Sequence, residues 1–371
     1  MATRRPAEIF PPGEFIKDEL EERGWTQEDL AAILGRTQAT ISQLIASKRS
    51  ITPEIAKGLA AAFNTTPQFW LNLEAALQLW RVQNDTTDTV ARRARLYTYA
   101  PVKDMERRGW IEHSNDVGIM EERVRSFYGM PDLSEPPTFL AYAARKSTSY
   151  EKVTASQCAW LFRAMQLSRF VRAAKYDSAK LPAAIESLQL LIAAPQETRH
   201  VPRVLSEYGI RFVIVEDLPG TKIDGASFWI DTEPVIAMSL RYDRNDNFWF
   251  TLMHEVGHLA QRDEGLDVDT LAVRIDTDRL DNERTADEFA TEHLVPQGQL
   301  ESFIARVSPL YTAERIEGFA IRCGVHPGIV VGQLQHRNEI MWTNFRRLLA
   351  SVRSYVMQGA IADGYGASFP A

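Results

Sequence analysis

Apolar positions recur at helical spacing through residues 13 to about 83. Phe15, Ile16 and Leu20 share a face of PGEFIKDELEERG, which Gly24 ends. Thr26, with Asp29 three residues on, has the form of a capping box and opens TQEDLAAILG, closed by Gly35. Thr37 caps TQATISQLIAS, Pro53 sits early in PEIAKGLAAAF, and Pro67 opens QFWLNLEAALQLW. Residues 84–200 keep a helical pattern, as in ASQCAWLFRAMQLSRFVRAAK, with NDTTD (84–88) and PDLSEPP (131–137) reading as linkers. After Pro202 the period shortens. IRFVIVE (210–216), GASFWI (225–230) and PVIAMSL (234–240) are β-rich, with a tight turn expected at Asp224-Gly225. Long helices follow, the first being NFWFTLMHEVGHLA. The pattern predicts a multidomain chain: an all-α N-terminal domain over 1–83, a helical connector over 84–200 and an α+β C-terminal domain over 201–371.

Composition adds bounds. The chain has 371 residues, 45% hydrophobic and 25% charged, enough to bury more than one core. A net charge of −7 argues against a polyanion-binding surface over the whole protein and leaves a local basic patch open. Two cysteines, Cys158 and Cys323, do not make a disulfide framework and fit a reducing cytosol. No apolar run has the length of a signal peptide core or a membrane span, so a soluble cytoplasmic protein without a membrane partner is expected.

The densest chemistry is His254-Glu255-Val256-Gly257-His258. In a helix the two histidines lie one turn apart on one side, where both can bind one Zn²⁺ at about 2.0–2.1 Å while Glu255 activates water. Phe248, Trp249, Phe250, Leu252, Met253, Val256 and Leu259 make this an apolar helix, in which polar groups need partners. A catalytic zinc takes three protein ligands and keeps one position open. The third is sought in ERTADEFATEHLVP (283–296), where Glu283, Ala286, Ala290 and Leu294 keep one helical register; Glu288 and His293 are the alternatives to Glu283. Asp287, one turn on, is placed to accept a hydrogen bond from a ligating histidine. The acidic run DTDRLDNE before this helix reads as a solvated loop. The chemistry expected is amide hydrolysis, with Glu255 shuttling the proton and His326, Tyr242 or His336 donating to the oxyanion.

HEVGH followed by Glu-x-x-Ala-Asp resembles the gluzincin pattern of thermolysin-like peptidases. With ERTADEFATEHLVP it is more specifically similar to the ImmA/IrrE metallo-endopeptidases, with Asp287 where Asn is common in that family. The resemblance implies a zincin-like fold and a zinc-dependent endopeptidase acting on a protein substrate.

The helix–Gly35–helix unit has the form of a helix-turn-helix whose recognition helix runs from Thr37 to Ile45. Ile41 and Leu44 face its core, which leaves Gln38, Ala39, Thr40, Ser42 and Gln43 for the major groove. Arg36, Lys48, Arg49 and Lys57 against Glu54 alone give a local charge of +3, suited to phosphate contacts. PGEFIKDEL, GWTQEDLA, GRTQATISQLI, ITPEIAKGLAAAF and TPQFWLNLEAALQL resemble the Xre/phage-repressor group, and within it the HigA-type antidote proteins. By that resemblance Gln38, Ala39 and Gln43 read bases, Gln27 contacts a phosphate, and the protein binds a palindromic double-stranded operator as a homodimer. The two resemblances together imply a DNA-binding regulator with a zinc endopeptidase domain that cleaves a repressor or an antitoxin partner in a stress, prophage or toxin–antitoxin response. The alternative is a non-proteolytic repressor or antitoxin whose zinc domain senses or binds a partner.

Overall fold

A computed structural model describes residues 10–81, 86–137, 154–262 and 279–364. The chain divides into two compact units, Met1–Val90 and Ala91–Ala371.

The first unit is a set of short helices: α1 (Pro12–Arg23), α2 (Gln27–Leu34), α3 (Gln38–Ile45), α4 (Pro53–Phe63) and α5 (Pro67–Arg81). Each boundary has a local cause. Thr26 and Asp29 form a reciprocal capping box at the start of α2, and the Thr37 and Thr52 side chains cap α3 and α4. Gly24 and Gly35 end α1 and α2 in the left-handed region, at φ 65° and 61°. The core is built by Ile16, Leu20, Leu30, Ile41, Leu44, Leu59, Phe63 and Trp70. A Cβ at Gly13 would stand 2.0 Å from the Ile45 carbonyl oxygen, so only glycine lets α1 meet the end of α3. The loop after α3 is tied to α5, where buried Glu74 accepts from the Ile51 amide at 3.1 Å and Arg81 donates to the Ser47 carbonyl at 2.8 Å.

The second unit opens with α6 (Thr86–Tyr99), α7 (Val102–Arg107), α8 (Val117–Tyr128) and α9 (Ala155–Ser168). The expected NDTTD linker therefore contributes its last three residues to α6, and its first two, 84 and 85, lie outside the described residues. After α10 (Leu181–Gln189) and α11 (Val201–Glu207) comes a mixed sheet of β1 (Arg211–Val215), β2 (Gly225–Ile230), β3 (Glu233–Met238) and β4 (Ile361–Asp363). Its order is β2-β3-β1-β4, with β1 parallel to β3 and β4, and β2 antiparallel to β3. The turn does not fall at Asp224-Gly225. Gly225 opens β2, and the chain reverses after Ile230, where Asp231 takes φ 54°, a conformation Asp tolerates.

Alternation along the strands splits the unit into two cores. Phe212, Ile214, Ile236 and Met238 pack against α12 (Asn245–Arg262), α13 (Arg279–Leu294), α14 (Gln297–Val307), α15 (Ala313–Cys323) and α16 (Pro327–His336). Val213, Val215, Val235 and Ala237 point the other way, into a core with Leu96, Met105, Trp110, Phe127 and Trp160. Trp160 donates to the Val215 carbonyl at 2.9 Å, and Arg163 pairs with Asp363 of β4, each side chain only 1% exposed. No described helix is long and apolar enough to cross a membrane.

Candidate metal centre and nucleic-acid interface

Helix α3 presents the predicted recognition surface. Ile41 and Leu44 are buried, Gln38, Ala39, Ser42, Gln43, Lys48 and Arg49 are exposed, and Gln27 stands half-buried at the first position of α2. Thr40 is turned partly inward, since its hydroxyl bonds the Thr37 hydroxyl at 2.9 Å and its amide is the donor that Thr37 caps.

The metal cluster forms where α12 crosses α13. The apolar side of α12 (Phe248, Trp249, Leu252, Met253, Val256 and Leu259) is buried at 1% exposure or less, which fixes the helix and turns its polar residues toward α13. Small residues bring the two helices together: Ala286 and Ala290 are fully buried, and a Cβ at Gly257 would meet the Ala286 backbone at 3.3 Å. Glu283, one turn before Ala286, then faces the histidines. The Nε2 atoms of His254 and His258 are 3.0 Å apart, and Glu283 Oε2 lies 3.3 Å from the first and 3.9 Å from the second. Among the described residues these three form the one cluster of metal-type donors, all within 4.8 Å of one another.

The arrangement suits a cation on chemical grounds. Asp287 Oδ1 accepts from His254 Nδ1 at 2.8 Å, which fixes the tautomer and leaves a lone pair on Nε2. That lone pair faces a carboxylate oxygen and a second imidazole nitrogen, so a proton or a metal ion must sit among them. The histidine titrates accordingly: burial lowers the His254 pKa, but Glu283, Glu255 and Asp287 outweigh it and leave it raised. Two imidazoles, one carboxylate and an acceptor behind one ring are a donor set for zinc.

Glu255 is buried beside the cluster without belonging to it. Burial pushes its pKa up to about 7, against the lowering effect of His254 and of hydrogen bonds from the Ser227 hydroxyl and backbone. Strand β2 thus runs along the carboxylate. A Cβ at Gly225 would stand 2.9 Å from Glu255 Oε1 and 2.7 Å from Thr251 Cγ2, so glycine is required here for close approach. Sequence reasoning found neither Gly225 nor Ser227 as part of the site.

The alternatives to Glu283 are occupied elsewhere. Glu288 is exposed and pairs with Arg284, and His293 Nδ1 donates to the Phe289 carbonyl at 2.8 Å. His326 is a helix cap, its Nδ1 accepting from the Gly328 amide at 3.0 Å at the start of α16. Tyr242 and His336 instead line a cavity of about 460 Å³ beside the cluster, and His326 does not. Of the acidic run before Glu283, residues 276–278 lie outside the described residues.

A helix-turn-helix family model matches residues 16–70, and the model of the IrrE N-terminal-like domain matches residues 206–325. An uncharacterised HTH-type transcriptional regulator of Haemophilus influenzae is 38% identical over 86 residues, 23% of this chain and 78% of that protein. Antitoxin HigA-1 of Vibrio cholerae is 42% identical over 82 residues, 22% of this chain and 74% of the antitoxin. The structure of an addiction module antidote protein of a HigA family from Coxiella burnetii aligns at 29% identity and a TM-score of 0.22, covering 23% of this chain and 94% of its own. The chain belongs to the helix-turn-helix family of transcriptional regulators, and it joins that DNA-binding domain to an IrrE-like peptidase domain.

Proposed function

We propose that the protein binds an operator through α3 and that its second unit is a zinc-dependent endopeptidase cleaving a regulatory protein, such as a repressor or an antitoxin. One observation carries the enzymatic part: His254, His258 and Glu283 converge while a buried carboxylate, Glu255, stands beside them without joining the cluster. A metal bound only for structure has no need of that carboxylate. His254, His258 and Glu283 would hold the ion, with Asp287 keeping the His254 ring oriented. A zinc ion there supplies the Lewis acid that polarises the scissile carbonyl and acidifies water. Glu255 takes the proton from the attacking water and returns it to the leaving amine. Strand β2, at the end of the sheet, offers main-chain groups to an extended substrate. Tyr242 and His336, in the adjoining cavity, are the donors within reach of a developing oxyanion.

On the DNA side, Gln38, Ala39 and Gln43 are the proposed base readers, Thr40 and Ser42 flank them, and Gln27, Lys48 and Arg49 are the proposed phosphate contacts, in a homodimer on a palindromic site. The deciding experiment compares protein termini in cells carrying the wild type and Glu255→Gln. New termini that disappear in the variant, while zinc content and operator binding persist, are expected. Identical termini and full complementation by the variant would refute catalysis and leave a zinc-binding repressor.

A further inference from the structure

We propose that the cavity beside the metal cluster receives a bulky apolar or aromatic side chain of the peptide substrate, adjacent to the bond to be cleaved; this rests on the peptidase reading above. Three neighbours join the cavity to the chemistry. The Phe250 ring lies 6.2 Å from the ring of His254, one turn on. Thr291, one turn beyond Asp287, donates its hydroxyl to the Asp287 carbonyl at 2.9 Å. Asp224 precedes Gly225, whose backbone lies against the Glu255 carboxylate. The cavity therefore borders the site along α12, α13 and β2 at once.

Its walls select the guest. Phe250 stacks on His336 at 5.9 Å, and His336 meets Trp342 edge-on at 5.1 Å, with Leu294 and Ile329 adding hydrocarbon. Rings set at right angles accept another ring or a branched aliphatic chain. The charges around the cavity are already matched. Arg241 Nε is 3.0 Å from Asp224, Arg244 reaches both oxygens of Asp246 at 2.6 and 3.0 Å, and Arg337 donates to Gln297 at 2.6 Å. A charged guest would have to displace one of these pairs and lose its hydration. An apolar guest does neither, and it covers Trp342, which is 52% exposed.

The test uses the full-length protein, once after chelation and once with zinc. N-acetyl-phenylalaninamide and N-acetyl-leucinamide are titrated in and followed by backbone amide NMR shifts, with N-acetyl-aspartamide as the charged control. Saturable binding of the first two is expected with and without metal, weakened about five-fold by Trp342→Ala through loss of one ring contact. Trp342 is half-exposed, so this variant keeps its fold. Absence of saturable binding, equal binding of the aspartate analogue, or an unchanged affinity in Trp342→Ala overturns the proposal. Because the readout needs no turnover, it separates from the peptidase reading. Termini indifferent to Glu255 refute peptidase action while pocket binding persists. Glu255-dependent cuts flanked by small or charged residues refute the pocket while the peptidase stands.

Discussion

His254 has a partner on each ring nitrogen, and the two do different work. Asp287 holds the Nδ1 proton at 2.8 Å, and Nε2 is thereby left to face His258 and Glu283. Replacing Asp287 with Ala frees the ring to rotate and change tautomer, so zinc affinity is expected to fall by about 10–100-fold, read by competition with a chromophoric chelator. Asp287→Asn keeps an accepting oxygen and should stay close to the wild type; equal loss in both variants would show that charge, not orientation, is what Asp287 supplies. The ligand spacing was legible because a helix puts residues four apart on one side, and Glu283 because it shares the register of Ala286 and Ala290, both buried. Gly225 was read as a turn glycine. A glycine that permits a turn and one that makes room for a neighbouring carboxylate look alike in one dimension. Ser227 left no signal at all, since nothing in a strand's spacing marks which hydroxyl meets a distant helix.

At the scale of elements, the helix-turn-helix was the most legible part, because its boundaries are written locally in the Thr26–Asp29 box, Gly35, Thr37 and Thr52. The close approach at Gly13 and the buried Glu74 were not, since each depends on a partner more than twenty residues away. Helix α3 holds Ile41 and Leu44 in the core and turns Gln43 to solvent. Gln43→Ala should therefore leave the melting temperature unchanged, weaken binding to the preferred operator by about 1–3 kcal/mol and relax selectivity at one base pair. Competition binding across operators mutated one position at a time measures this. A uniform loss across all sites would place Gln43 on the backbone of the DNA instead.

In the whole chain, the helices preceding the sheet were readable as helices but not as the second layer of the peptidase unit. Strand periodicity shows that a strand has two faces, not which distant segment covers each. Val213 and Val215 alternate with Phe212 and Ile214, and helices on either side bury both sets. The buried Arg163–Asp363 pair links the layer to the last strand. Arg163→Ala strands a carboxylate in that core and should destabilise the second unit by about 3–5 kcal/mol, whereas Arg163→Met with Asp363→Leu should restore much of the loss. Calorimetry would follow the transition of Ala91–Ala371 and find that of Met1–Val90 unmoved, as separate cores require. Strand β2 also has a consequence for colloidal behaviour. A strand at the end of a sheet that can pair with a substrate backbone can equally template another molecule of its own kind, and the sequence GASFWI carries no charge to repel it. A protein with such an edge must keep its concentration low or the edge occupied, and self-association should be strongest when no peptide competes for the strand.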